Sequence, residues 1–137
     1  MQYLKALLAV VAGLVVGSVV NMGLIMLSGH VIPPPAGADV TTSEGLKASL
    51  HLFEPRHFLF PFLAHALGTL VGAYVAAKIA SKSGWVPAMA VGAMFFIGGV
   101  ISARMLPAPT WFIAADLLLA YFPFAWLGLL LARGRKS

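Results

Sequence analysis

One apolar run, residues 57–80, limits what this chain can fold into; it reads HFLFPFLAHALGTLVGAYVAAKIA. At about 1.5 Å of rise per residue, a helix of this length exceeds the ~30 Å hydrocarbon core of a bilayer. His65, Gly68 and Gly72 fall at i, i+3 and i+7 and therefore share one face of that helix. The run predicts a transmembrane helix that packs closely on a neighbour, with one polar side chain at the contact.

Three further apolar runs of similar length occupy residues 4–27, 86–105 and 111–132. Hydrophobic residues make up 61% of the chain and charged residues only 9%, against about a quarter charged in soluble proteins. Together the four runs predict an all-α membrane protein with one domain, residues 1–137, built as an antiparallel bundle of four transmembrane helices. The first run exceeds the 7–15 apolar residues of a signal peptide, so we expect it to stay as an anchor.

Small residues mark the faces on which these helices should pack. Gly13, Gly17 and Asn21 recur every four residues in the first run, and Gly92 and Gly99 share a face of the third. The large aromatic residues are interpreted as lipid-facing or as belt residues at the membrane surface. They include Phe95, Phe96 and the Phe, Trp and Tyr residues of the fourth run, which we expect to form one helix bent at Pro123.

The one long loop, residues 28–56, should carry a short helix of its own. The Thr41-x-x-Glu44 spacing predicts a capping box that opens a helix reaching about Phe53. The apolar residues of this helix share one face: Leu46, Leu50 and Phe53. Such a pattern is typical of an amphipathic helix that lies on the membrane surface or over the end of the bundle.

Basic residues are divided unequally between the two ends of the predicted bundle. Six of the nine lie at the end that holds both termini: Lys5, Lys78, Lys82, Arg133, Arg135 and Lys136. The other end holds Lys47, Arg56 and Arg104. Because short cytoplasmic loops are enriched in Lys and Arg, this distribution predicts that both termini are cytoplasmic. The dispersed bases form no stripe, so nucleic acid is not expected as a partner; the bilayer is.

Acidic and histidine residues show the opposite bias, since all of them fall in the long loop or the outer half of the predicted membrane segments. Three polar residues on three helices, Asn21, His65 and Asp116, lie roughly 8–12 Å below the outer hydrocarbon boundary at ~1.5 Å per residue. A buried carboxylate is costly unless it is paired, so Asp116 should contact His65, with Asn21 or Arg104 completing the site. Such a pair either sets helix packing or serves a ligand, ion or proton site.

The end of the long loop leads into the second apolar run through His51-x-x-Glu54-x-x-His57, which contains the Glu-x-x-His spacing of di-iron bundles. Pro55 interrupts the helix that would align these ligands, so we keep the three residues as polar candidates and expect no metal. The chain has no cysteine, no phosphate-binding loop and no hydrolase or metalloprotease motif. We therefore expect no cofactor.

Three stretches carry a resemblance to known proteins: NMGLIMLSGHVIPPPAGADV, HLFEPRHFLFPFLAHALGTLVGA and LPAPTWFIAADLLLAYFP. With them the chain resembles a family of small, functionally uncharacterised four-span bacterial inner-membrane proteins. The resemblance covers nearly the whole chain and implies four spans in a bacterial inner membrane. It carries over no catalytic residue.

Three functions fit this pattern. The first is a small binding or accessory protein, either a subunit of a larger membrane complex or a homo-oligomer, with a polar site near the extracytoplasmic face. The second is an oligomeric transporter or channel, which is disfavoured because the cytoplasmic halves of three spans are apolar. The third is a membrane enzyme that uses Asp116 and His65 as acid and base on a lipid-like substrate, so the sequence leaves open whether the protein is an enzyme.

Overall fold

The computed structural model describes residues 2–80 and 84–134, and this part of the chain is an all-α bundle. Its helices are α1 (Gln2–Val31), α2 (Ser43–Ser49), α3 (Leu59–Ala80), α4 (Trp85–Met105), α5 (Thr110–Leu119) and α6 (Phe122–Arg133). Two 3₁₀ turns, Leu50–Leu52 and Pro55–Phe58, link α2 to α3. Four segments are long and apolar enough to cross a membrane: Gln2–Val31, Pro55–Ala80, Trp85–Met105 and Thr110–Arg133. The predicted all-α fold is confirmed. The basic residues Lys82, Arg135 and Lys136 lie outside the described residues.

Helix α3 is the central element and packs against α1, α4 and α6. Its glycine face meets that of α1: a Cβ on Gly17 would lie 2.5 Å from the carbonyl oxygen of Gly68, and Gly13 faces Gly72 in the same way. The partner numbers rise on one helix as they fall on the other, so α1 and α3 are antiparallel. The small residues predicted to permit close packing therefore face one another.

Helix α4 packs on α6 through its own small face. A Cβ on Gly92 would lie 2.7 Å from the Cβ of Ala125, and one on Gly99 would lie 2.5 Å from the hydroxyl oxygen of Tyr121. Because the chain reverses direction at each connection, the loop at residues 32–58 and the turn at residues 106–109 meet at one end. We call this the loop end of the bundle, and the opposite end, where α1 begins and α6 finishes, the terminal end.

The first helix is longer than predicted. It continues through Ser28, Gly29 and His30 to Val31, so the loop begins at Ile32 rather than at residue 28. The apolar run ends before the helix does. A helix continues past its last apolar residue until a residue that disfavours the α conformation ends it. Here the stop signal is Pro33, since the residue before a proline is disfavoured in the α conformation.

The fourth apolar run is two helices rather than one bent helix. Helix α5 ends at Leu119, α6 begins at Phe122, and Pro123 occupies its first turn. Proline has no N–H to donate to the carbonyl of the residue four positions earlier, here Leu119, so the hydrogen-bond ladder is interrupted. The sequence predicted an irregularity near Pro123, but as a bend in one helix and not as the break that is observed at Ala120 and Tyr121.

The loop helix is present but shorter than predicted and capped by a different residue. The α-helical part ends at Ser49 and continues as the 3₁₀ turn, and Thr42, not Thr41, accepts the capping hydrogen bond from the Gly45 N–H at 2.9 Å. The Thr41 hydroxyl instead donates to Asp39 Oδ1 at 2.6 Å. Because Thr41 and Thr42 are adjacent, the sequence pattern could not distinguish which of them caps the helix. The hydrogen bond between Thr41 and Asp39 leaves Thr42 as the capping residue.

Candidate functional site

Asp116 lies at the centre of a buried hydrogen-bonded group between α3, α5 and the start of α6. The residue is only 5% exposed. Its Oδ1 lies 2.8 Å from Nδ1 of His65, and its Oδ2 accepts a hydrogen bond of 3.1 Å from the Tyr121 hydroxyl. The predicted contact between His65 and Asp116 is confirmed, and each carboxylate oxygen has its own partner.

The break between α5 and α6 places Tyr121 beside this carboxylate. The ring of Tyr121 stacks on that of His65, with 5.8 Å between centroids and 23° between planes, and meets Phe96 edge-on at 6.1 Å. Gly99 makes room for the ring, because any side chain there would collide with the tyrosine. Tyr121 is 3% exposed, so it is a core residue and not the lipid-facing residue that the sequence suggested.

The orientation of His65 decides what it can offer a ligand. A carboxylate only accepts hydrogen bonds, so Nδ1 carries the hydrogen and Nε2 of the neutral imidazole keeps a free lone pair. No protein hydrogen bond to Nε2 is present in the described part of the chain. The side chain is 28% exposed, while that of Asp116 is 7% exposed. The buried carboxylate of Asp116 therefore fixes the orientation of the partly exposed His65 imidazole.

Two cavities of about 200 Å³ each flank His65. The first, which we call the polar cavity, is lined by Asn21, Ala64, His65, Gly68, Thr69, Phe95, Gly98, Gly99, Ser102 and Tyr121. The second, which we call the apolar cavity, is lined mainly by aliphatic and aromatic residues, with His65 and Asp116 in its wall. His65, Gly99 and Ser102 belong to both linings, so the two cavities adjoin along α3 and α4.

The loop helix covers the apolar cavity. The three residues predicted to face inward from the loop line it: Leu46, Leu50 and Phe53. Asp39 holds this cover in place, because its N–H donates to the Ser49 hydroxyl at 3.0 Å. The side-chain and backbone hydrogen bonds from Thr41 keep the pKa of Asp39 below its usual range, so its carboxylate remains an acceptor. Tertiary contacts rather than helix propensity alone therefore organise the cover.

Four residues are predicted to form the buried polar site. The structure places three of them here, Asn21, His65 and Asp116, and the fourth, Arg104, elsewhere. Asn21 lines the polar cavity beside Gly68, as predicted from its depth. Arg104 is exposed and lines neither cavity. Five residues separate it from Gly99, and at about 100° each this turns it roughly 140° away from the face that meets Tyr121. A depth count alone could not detect that rotation.

The three polar candidates of the long loop do not converge on one another. Glu54 forms an exposed ion pair with Arg56 at 2.9 Å, and its N–H donates to His57 Nδ1, also at 2.9 Å. His57 is buried against the ring of Phe53, whereas His51 is exposed. Within residues 2–80 and 84–134, no three His, Asp or Glu side chains form a metal-binding group. The Glu-x-x-His spacing serves here to cap the 3₁₀ turn before α3.

Several site residues escaped the sequence reasoning. Tyr121, Thr69 and Ser102 were missed, and Phe95 and Phe96 were assigned to the lipid although Phe95 packs on Gly17 and Phe96 on Tyr121. For Tyr121 the sequence offered one signal, Pro123, since a proline in the first turn of a helix marks a break at which a nearby side chain changes direction.

No family model, curated protein or solved structure matches this chain, so the resemblance to a bacterial family remains a prediction.

Proposed function

We propose that this chain is a multi-pass protein of the bacterial inner membrane that binds a small amphiphilic molecule between its helices. Its termini lie in the cytoplasm and its loop end faces the extracytoplasmic side. The length and apolarity of the four helices and the distribution of basic residues support this placement. We expect the protein to act as a homo-oligomer or as an accessory subunit of a larger membrane complex.

One observation carries the binding proposal: a covered apolar cavity has in its wall a partly exposed His65 oriented by the buried Asp116. Ligand sites are concave and mostly apolar, with a few polar groups that fix orientation. The two adjoining cavities together fall within the volume range of roughly 300–1,000 Å³ that such sites span. Ionisable residues within membrane segments are also costly to bury and commonly mark functional sites.

Transport is less well supported by the placement of polar groups. The buried polar side chains of the described residues are Ser49, His57, Thr69 and Asp116. All of them lie at the loop end or in the middle of the bundle. A transport path must continue to the other face, which binding does not require, so the geometry favours binding.

An enzyme is the second candidate, because Asp116 orients His65 through Nδ1 and His65 lines both cavities, an arrangement that suits a general base. An enzyme would convert the molecule that it binds. Mass analysis of the bound molecule before and after incubation, in the natural chain and in His65→Gln, separates conversion from binding. A constant mass supports the binding protein, and a change that requires His65 supports the enzyme.

The proposed orientation predicts the behaviour of reporter fusions. Alkaline phosphatase, which is active only outside the cytoplasm, should be inactive when fused after Ser137 and active when inserted near Asp39. A cytoplasmic fluorescent reporter should give the reverse pattern at the same two positions. The opposite result would place the loop end in the cytoplasm and contradict the orientation.

Filling the apolar cavity should abolish binding. Ala108 lines that cavity, so Ala108→Phe should reduce the amount of copurified amphiphile at least tenfold when the protein is extracted in mild detergent and measured by native mass spectrometry. Ala114 is exposed on the neighbouring helix α5 and lines neither cavity, so Ala114→Phe is the matched control. Equal binding by both variants would contradict the proposal. The same spectra report the oligomeric state and any partner subunit.

A further inference from the structure

The polar cavity presents several hydrogen-bond acceptors. The Thr69 hydroxyl donates to the carbonyl oxygen of His65 at 2.7 Å, and the Tyr121 hydroxyl donates to Asp116. Each hydroxyl oxygen keeps lone pairs, and Nε2 of neutral His65 keeps one as well. Oδ1 of Asn21 is buried and has no hydrogen-bond partner in the described part of the chain. The Asn21 amide and the Ser102 hydroxyl also line this cavity and can donate. A ligand hydroxyl, which both donates and accepts, would suit all of these groups, whereas a ligand with acceptors alone would leave the acceptors of the cavity unpaired.

The charges around the two cavities argue against an ionised head group. Neither lining contains Lys or Arg, and Asp116 belongs to the apolar cavity but not to the polar one. An anionic head in the polar cavity would therefore have no Lys or Arg to pair with. A cationic head there would have no carboxylate in the lining to pair with. Because removing an unpaired ion from water is costly, the cavity favours an uncharged head.

The polar cavity opens on the side of the bundle rather than at its loop end. Gly98 and Ser102, one turn apart on α4, line it and are exposed, and Asn21 of α1 lines its other side. A Cβ on Gly98 would have no atom within 4 Å, so the space in front of this residue is free. In the proposed membrane position this opening faces the bilayer. The ligand therefore enters from the lipid phase between α1 and α4.

We propose that the ligand is an uncharged amphiphile with a hydroxyl-bearing head, of the monoacylglycerol type. The hydroxyl groups donate to the acceptors of the polar cavity, and the chain lies in the adjoining apolar cavity beneath Leu46, Leu50 and Phe53. The proposal rests on the binding function proposed above and adds the chemical class of the ligand. It also assigns a ligand-positioning role to Asn21 and Thr69.

Four amphiphiles with the same acyl or alkyl chain test the head-group preference. Monoacylglycerol, fatty-acid methyl ester, free fatty acid and alkylamine are titrated into the delipidated protein and followed by native mass spectrometry. Monoacylglycerol should bind about tenfold more tightly than the methyl ester, because two additional neutral hydrogen bonds contribute about that factor. The acid and the amine should bind no more tightly than the ester.

Three variants locate the preference within the cavity. Thr69→Val removes a hydroxyl while preserving side-chain shape, and Asn21→Leu removes the buried amide. Each should lower the affinity for monoacylglycerol severalfold and leave that for the methyl ester unchanged. Gly98→Leu should slow association of both at least tenfold by narrowing the opening. Gly23→Leu is its control, because a Cβ on Gly23 of α1 would also have no atom within 4 Å, yet this residue lines neither cavity.

The outcomes separate this inference from the binding function. Tighter binding of the acid or the amine, or an unchanged preference in both Thr69→Val and Asn21→Leu, would overturn the ligand class. Equal association rates in Gly98→Leu and Gly23→Leu would overturn the route of entry. In these cases the binding function stands if Ala108→Phe still prevents binding of the preferred amphiphile. If Ala108→Phe binds all four amphiphiles as the natural chain does, the binding function fails as well.

Discussion

Asp116→Ala should lower the free energy of unfolding by about 2–4 kcal/mol, because it removes the acceptor for two donors at once, one of them buried and the other partly buried. Nδ1 of His65 and the Tyr121 hydroxyl would both lose their partner. Each unsatisfied donor costs about 1–3 kcal/mol, and hydrogen bonds between membrane helices tend toward the low end of that range. The measurement is reversible unfolding in mixed detergent micelles. A variant as stable as the natural chain would show that the group does not hold α3 to α5 and α6.

Asp116→Asn is the informative control for this substitution. The amide oxygen can accept from Tyr121 while its NH₂ donates to His65, provided that the imidazole hydrogen moves from Nδ1 to Nε2. The variant should therefore stay within about 1 kcal/mol of natural stability, as expected for a hydrogen bond exchanged rather than lost. However, Nε2 would become a donor, so a ligand hydroxyl at this position would have to accept instead of donate. Its own hydrogen would then lose its partner, so affinity for a hydroxyl-bearing amphiphile should fall severalfold. Nitrogen NMR of the His65 ring detects the tautomer change directly, and unchanged binding would assign the pair a structural role.

Gly17→Ala should destabilise the bundle by about 1–3 kcal/mol, the usual cost of overpacking a tight contact. The added methyl would lie 2.5 Å from the carbonyl oxygen of Gly68 and 2.9 Å from the ring of Phe95. The nearest obstacle is backbone, which cannot rotate away as a side chain can. Helix α1 would have to move away from α3, the helix against which it packs most extensively. Thermal unfolding in mild detergent measures the loss.

The same substitution at Gly23 provides the matched control on the same helix. A Cβ there meets nothing within 4 Å, so only helix propensity should act. Alanine is favoured over glycine in a helix interior by up to about 1 kcal/mol, so Gly23→Ala should be neutral or slightly stabilising. Equal destabilisation by both substitutions would show that the effect arises from the helix itself and not from the contact between α1 and α3.

The four long apolar segments, the small-residue faces on which their helices pack and the need for a buried partner to Asp116 could all be predicted from the amino-acid sequence. Length and hydropathy are sufficient to predict the apolar segments, because an apolar run of twenty residues has few alternatives to a helix. Glycine spacing is sufficient to predict the packing faces, since only small residues allow backbones to approach as closely as those of Gly17 and Gly68 do. The pairing with His65 followed because few polar side chains lie at the same depth.

The set of apolar and aromatic residues that face the interior emerged only from the packed bundle. In a bundle of this composition the lipid-facing and packed sides of a helix are equally apolar, so hydropathy does not report helix rotation. Tyr121, Phe95 and Phe96 are packed for this reason despite looking like lipid-facing residues. The two cavities likewise depend on the break before Phe122 and on the loop folding over the bundle. Both result from contacts between segments far apart in the chain, which no local pattern encodes.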